Sequence, residues 1–127
     1  MFKKYHEQLA KSVSDKSIFE EAIKFAFEYM DGISDRKVYP CDDDIKKLQS
    51  FYEPLPQVGT NEKDVLLSLY QNGSPNTVAQ TSGRYYGFVN GGALPVTLAI
   101  KWMTDVWDQN AVLYVASPVA AVIEDVC

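Results

Sequence analysis

Gly83-Arg84-Tyr85-Tyr86-Gly87-Phe88-Val89-Asn90-Gly91-Gly92-Ala93-Leu94-Pro95 is the most informative stretch of this 127-residue sequence. It reads as an aromatic, extended segment running into a double glycine. Adjacent glycines permit positive backbone dihedrals and leave amides uncovered by side chains. Such a turn suits close approach to a ligand carboxylate or phosphate. Glycine pairs also occur in plain turns, so this reading stands beside a purely structural one. The spacing of Gly87, Gly91 and Gly92 does not fit the dinucleotide fingerprint, and no buried strand precedes them. Downstream, Pro95 sits in the first turn of a helix that Leu98, Trp102, Asp105 and Val106 continue to about Trp107-Asp108-Gln109-Asn110. Ser117-Pro118 then has the form of an N-cap followed by proline at the first helical position, opening a helix over residues 119–126.

Upstream, the outline is helical and without internal repeats. Residues 1–14 read as a short polar helix or frayed arm. Ser17 and Glu20 have capping-box spacing. Behind them Phe19, Ile23, Ala26, Met30 and Ile33 recur at helical spacing, predicting an amphipathic helix over residues 18–33. Phe25, Phe27 and Tyr29 widen its apolar surface, so this helix calls for more than one neighbour. Pro40 pushes Tyr39 out of helical conformation. Asp42, Asp43 and Asp44 suggest either a divalent-cation site or, more simply, acids at a helix start that cap free amides and favour the positive dipole end. Pro54 and Pro56 stop that helix. Thr60 or Asn61 caps the next, whose buried face is Val65, Leu66, Leu69 and Tyr70, and residues 71–83 read as a loop.

Composition narrows the function classes. With 46% hydrophobic and 23% charged residues the chain is in the globular range, and it could bury roughly two-thirds of its unfolded surface. A net charge of -5 argues against a nucleic-acid or anionic-lipid partner. The charged start lacks the apolar core of a secretory leader, and residues 85–100 are too short and too polar to span a bilayer. Cys41 and Cys127, far apart and without a histidine cluster, read as free thiols of a reducing cytosol rather than a disulfide or metal site. Asn72-Gly73-Ser74 fits a glycosylation sequon, which without an export signal is a chance match. Trp102 and Trp107 read as core or interface anchors. The expected fold is therefore mainly α, with about five helices joined by extended connections.

Three blocks taken together carry a resemblance. Arg84 to Gly92 with Leu94-Pro95, then Trp107-Asp108-Gln109-Asn110-Ala111, then Ser117-Pro118 with Glu124, resemble the bacterial branch of the group II pyridoxal-phosphate-dependent amino-acid decarboxylases. That group includes the aromatic-L-amino-acid, glutamate and diaminobutyrate decarboxylases. Ser34-Asp35-Arg36-Lys37-Val38-Tyr39-Pro40 also looks like the family's opening, so the similarity covers nearly the whole chain, most specifically residues 83–124. Arg84 departs from the family, where many members carry His-Pro before the aromatic pair.

The resemblance implies the N-terminal part of a fold-type I pyridoxal-phosphate-dependent transferase-like α/β enzyme without its large domain. Residues 1–82 would be a helical arm and dimerisation segment, and residues 83–127 the start of the substrate-side and dimer-interface region. Phe88, Val89, Asn90, Gly91 and Gly92 would be substrate-side contacts. Gln109, Asn110, Val112 and Tyr114 would shape the partner subunit's pocket in a cytoplasmic homodimer, with surface-loop packing as their plain alternative. The family's chemistry needs a Schiff-base lysine, an aspartate at the pyridine nitrogen of pyridoxal 5'-phosphate and a histidine stacked on its ring. No catalytic residue can be carried over: His6 lies near the terminus, and Lys101 falls on a helix whose family counterpart is not catalytic.

The expectation is thus a fragment, ending inside a helix at Cys127, of a carboxy-lyase that converts an L-amino acid to an amine and carbon dioxide. The alternative is a noncatalytic helical interaction module that binds an intact homologue or another protein through residues 18–33 and the Trp102/Trp107 face. Its apolar surface predicts oligomerisation or aggregation when the chain is alone.

Overall fold

The computed structural model describes residues 2–127, which contain six α-helices and no strand. Two compact units divide the chain, Met1–Asn90 and Gly91–Cys127. The mainly α expectation holds. The segment expected to be extended before Gly91 is instead a series of turns.

In the first unit α1 spans Phe2–Ser14 and α2 spans Ser17–Asp31. Asp15 joins them. Its amide donates to the Lys11 carbonyl at 3.0 Å, and its carboxylate accepts from the Ser17 amide at 2.9 Å. The expected capping box of Ser17 and Glu20 does not form. Lys16 keeps helical dihedrals (φ -89°, ψ -2°), so Ser17 is already inside the helix and Asp15 takes over the free amide. These Ser17 hydrogen bonds hold the Asp15 carboxyl below its ordinary value.

The packed face of α2 also differs from the expected stripe. Ile18, Ala22, Phe25, Ala26 and Tyr29 are half-buried, whereas Phe19, Ile23, Phe27 and Met30 are exposed. Aromatic geometry decides this. Phe25 stacks on Tyr70, and the Tyr29 hydroxyl meets the Thr77 hydroxyl at 2.8 Å. The Arg36 guanidinium lies 4.4 Å over the Tyr29 ring, a cation–π contact.

A short helix α3, Asp42–Lys47, follows Pro40 and runs into a 3-10 turn at Leu48–Phe51. Its three aspartates occupy the first turn, where the helix dipole favours them. None caps a backbone amide, because Cys41 holds the N-cap position. Asp43 and Asp44 turn instead to Lys46 and Lys47, each at 2.8 Å. The Cys41 thiol donates to Asp44 at 3.0 Å, and this bond, followed by that from Lys47, lowers the Asp44 pKa.

Helix α4 covers Glu62–Ser68 and is capped by Asn61, whose side chain accepts from the Lys63 amide at 2.9 Å. Residues 71–83 are not all loop. The chain continues as a π-helical turn over Leu69–Gly73 and a 3-10 turn over Ser74–Asn76. Leu66 and Tyr70 are half-buried as expected, while Val65 and Leu69 are exposed. A Cβ on Gly73 would meet the Leu69 side chain at 3.1 Å, a contact the exposed leucine can relieve by a small shift. Arg36 donates to the Ser74 carbonyl and the Ser74 hydroxyl, Arg84 donates to the Arg36 carbonyl, and the Ala79 amide donates to the Val38 carbonyl. These bonds fasten residues 74–84 to the segment that leaves α2.

The second unit holds α5, Pro95–Trp107, and α6, Pro118–Val126. Pro95 occupies the first turn as expected, and Asp108 ends α5 in the left-handed conformation (φ 48°). Ser117 caps α6 as its sequence predicts, its hydroxyl accepting from the Ala120 amide at 3.3 Å.

Among the described residues only Ala79, Ser82 and Ser117 are buried. The accessible surface is 10846 Å², against about 6,800 Å² for a folded monomer of this mass. Even two separately folded bodies of these lengths would expose only roughly 8,000 Å². The self-sufficient core that composition allows is therefore not formed by these residues alone.

Candidate functional site

The segment singled out by the sequence is anchored from behind. Ser82 is buried and its hydroxyl donates to the Ala79 carbonyl at 2.8 Å. The Tyr85 amide donates to the Ser82 carbonyl at 3.3 Å. The Tyr85 ring folds over Gly87, where a Cβ would stand 2.7 Å from the tyrosine hydroxyl and 2.9 Å from its ring carbon. A side chain here would have to push the Tyr85 ring aside, and no positive dihedral angle calls for glycine.

A tight turn follows, closed by the Asn90 amide donating to the Gly87 carbonyl at 3.3 Å. Its central residues Phe88 and Val89 both have positive φ, 55° and 56°. Two successive positive φ values are the pattern of a type I′ turn, which glycine and asparagine normally supply. For phenylalanine and a β-branched valine the conformation is strained. Both side chains stand in solvent, Phe88 at 92% and Val89 at 104% relative exposure. The sequence pointed to Gly91 and Gly92 as the left-handed residues, yet no glycine in the chain has positive φ. The turn forms three residues earlier because the Tyr85–Gly87 contact and the Asn90–Gly87 hydrogen bond fix it there.

Gly91 and Gly92 open the second unit with nothing within 4 Å of either Cβ position. In that unit Gln109, Asn110 and Val112 come together in one turn. The Gln109 side-chain amide donates to the Trp107 carbonyl at 2.8 Å, which satisfies one acceptor at the end of α5. The Asn110 side chain accepts from the Val112 amide at 3.0 Å, an Asx turn. Val112 and Tyr114 project into solvent. Thus Asn110 and Gln109 have local structural roles, while Val112 and Tyr114 are largely exposed.

The two residues weighed above for pyridoxal 5'-phosphate chemistry are both exposed. Lys101 is exposed and ion-paired with Asp105 at 2.9 Å. His6 lies on the exposed surface of α1. Among the described residues there is also no group of three or more His, Cys, Asp and Glu side chains able to hold a metal ion. None of the helices is long and apolar enough to cross a membrane.

Sequence reasoning missed one feature, an apolar cleft of about 410 Å³ in the first unit lined by Phe25, Tyr29, Leu66, Leu69, Tyr70 and Thr77. The surplus of aromatics on α2 was its signal, but which turn would face them was not legible. A second apolar groove lies between α5 and α6, lined in part by Trp107, Val119 and Ile123.

Neither protein-family models, curated proteins nor solved structures give a match to this chain.

Proposed function

We propose that this chain is the N-terminal, substrate-side segment of a cytoplasmic, homodimeric pyridoxal-phosphate-dependent carboxy-lyase acting on an L-amino acid. The observation that carries the reading is the ordered set of three sequence blocks, Arg84 to Gly92, Trp107 to Ala111 and Ser117-Pro118 with Glu124. The exposed Phe88–Val89 turn is compatible with it, since a strained apolar tip is suited to contact a ligand or a second surface. In this reading Phe88, Val89, Asn90, Gly91 and Gly92 touch the substrate. Gln109, Asn110, Val112 and Tyr114 border the pocket of the partner subunit. The cofactor supplies the electron sink for loss of carbon dioxide. Its lysine, aspartate and histidine would come from residues outside this sequence. Reading the coding DNA past the Cys127 codon tests the proposal. An in-frame continuation with a Schiff-base lysine block supports it, and a stop codon at that point overturns it.

A noncatalytic interaction module is the second reading, favoured by the exposure of Phe19, Ile23, Phe27 and Met30 on α2 and of Trp102 and Trp107 on α5. Incubation with pyridoxal phosphate and borohydride separates the chemistry from binding. Covalent labelling of one lysine would contradict both readings of this chain as catalytically empty.

A further inference from the structure

The chain holds two Asn-Gly pairs, Asn72-Gly73 and Asn90-Gly91, and the fold treats them differently. Asparagine is among the chemically labile residues, and glycine after it opens the route. Without a Cβ, the glycine amide nitrogen reaches the preceding side-chain carbonyl with little obstruction. The attack closes a five-membered ring. Closure needs the side-chain carbon and the glycine nitrogen nearly eclipsed about the asparagine Cα–C bond, and helical dihedrals keep them apart.

Asn72 is held against that rotation. Asn72 and Gly73 lie in the π-helical turn Leu69–Gly73, and the Ser74 amide just beyond donates back to the Leu69 and Tyr70 carbonyls. The Asn72 side-chain amide donates to the Ser68 hydroxyl at 3.4 Å, and its backbone carbonyl accepts from the Asn76 side chain at 2.7 Å. The residue is half-buried. Rotation about its Cα–C bond would disrupt the turn and the Asn76 bond together.

Asn90 has no such restraint on the bond that matters. It is exposed, and residues 90–94 have no regular structure. Its amide donates to the Gly87 carbonyl at 3.3 Å, but this bond fixes the chain before Asn90 and survives rotation about its Cα–C bond. Gly91 is open, with nothing within 4 Å of its Cβ position.

We propose that Asn90 is a site of spontaneous deamidation in the folded chain, whereas the fold protects Asn72. The Gly91 amide nitrogen gives up its proton to base and attacks Asn90 Cγ. The bond from Cγ to the side-chain nitrogen breaks, ammonia leaves with a proton from solvent, and a cyclic imide remains. Water then opens the imide at either carbonyl. One opening leaves aspartate in the original main chain. The other leaves isoaspartate, in which the main chain runs through the former side chain and gains a methylene group. Nothing is oxidised or reduced. Both products place a new negative charge where the left-handed Phe88–Val89 turn joins Gly91-Gly92. The inference rests on the local chain and stands whether or not the carboxy-lyase reading does.

The test keeps the full chain at neutral pH and physiological temperature, beside a sample held unfolded in guanidinium chloride. Peptides from both are followed by mass spectrometry, with electron-transfer fragmentation to tell aspartate from isoaspartate. In the folded sample Asn90 loses ammonia at least about tenfold faster than Asn72, because Asn72 reacts only from locally opened states. Both aspartate and isoaspartate appear at position 90. In guanidinium the two rates converge, since each asparagine precedes a glycine. Gly91→Ala slows the reaction at Asn90 and leaves Asn72 unchanged. An intact Asn90 or equal rates in the folded sample overturn the proposal. So does a rate difference that persists in guanidinium, which would owe nothing to the fold. Aspartate alone at position 90 marks direct hydrolysis without ring closure, and overturns it as well.

Discussion

The ring of Phe25 lies flat on the ring of Tyr70, with centroids 4.0 Å apart and planes 5° from parallel. This pair joins α2 to the π-helical turn after α4. The Tyr70 hydroxyl also donates to Glu28 at 2.6 Å, a bond that raises the tyrosine pKa.

Phe25→Ala removes the stack and opens the cleft beside it. Because Phe25 is half-buried, the expected loss is about 2 kcal/mol, the lower part of the range for such truncations. Tyr70→Phe keeps the stack and loses only the exposed hydrogen bond, so it costs much less than Phe25→Ala. Urea unfolding of the two variants measures the difference.

The left-handed turn makes a prediction of opposite sign. Phe88→Asn combined with Val89→Gly supplies the residues a type I′ turn prefers. Relief of strain at two positions, offset by the flexibility glycine adds to the unfolded chain, leaves a net gain of about 1–2 kcal/mol. A higher urea midpoint with an unchanged slope is the expected result. In the full enzyme of the proposed function the same double variant should lose substrate affinity.

Gly87→Ala places a methyl group against Tyr85, with 2.7 Å to its hydroxyl. Tyr85 must swing away, at an expected cost of about 1–2 kcal/mol. Tyr85→Ala should remove most of that penalty. A double-mutant cycle in which the two effects simply add would mean that the contact does not constrain Gly87.

Asp15 sets a pH dependence. Its folded pKa lies below the ordinary 3.8, chiefly because its carboxylate accepts hydrogen bonds from Ser17. A depressed carboxylate contributes stability above its unfolded pKa and loses it as pH falls through the folded value. The contribution is therefore full at neutral pH, begins to fade near pH 4 and is gone only once the pH has fallen through the lower folded value. Chemical-shift titration should show the low pKa. Asp15→Asn should keep the α2 start and flatten the acid limb, whereas Asp15→Ala should lower helicity at all pH values.

Local features of this protein were legible in its sequence. Pro95 in a first turn, Ser117 before Pro118, Asn61 as a cap and three aspartates at the start of α3 depend on the chain within a few residues, so spacing alone predicts them. Side-chain geometry decided the rest, locally at Ser17 and Gly87 and through tertiary contacts at α2. Ser17 lost its capping role to Asp15 once Lys16 stayed helical, and α2 turned Phe25 and Tyr29 inward because Tyr70 and Thr77 stood opposite. The positive dihedrals moved from Gly91 and Gly92 to Phe88 and Val89 because the Tyr85 ring and the Asn90 amide close the turn on Gly87. Periodicity shows that a helix has an apolar side, but when aromatics widen that side only the shape of the neighbouring chain selects which part is buried.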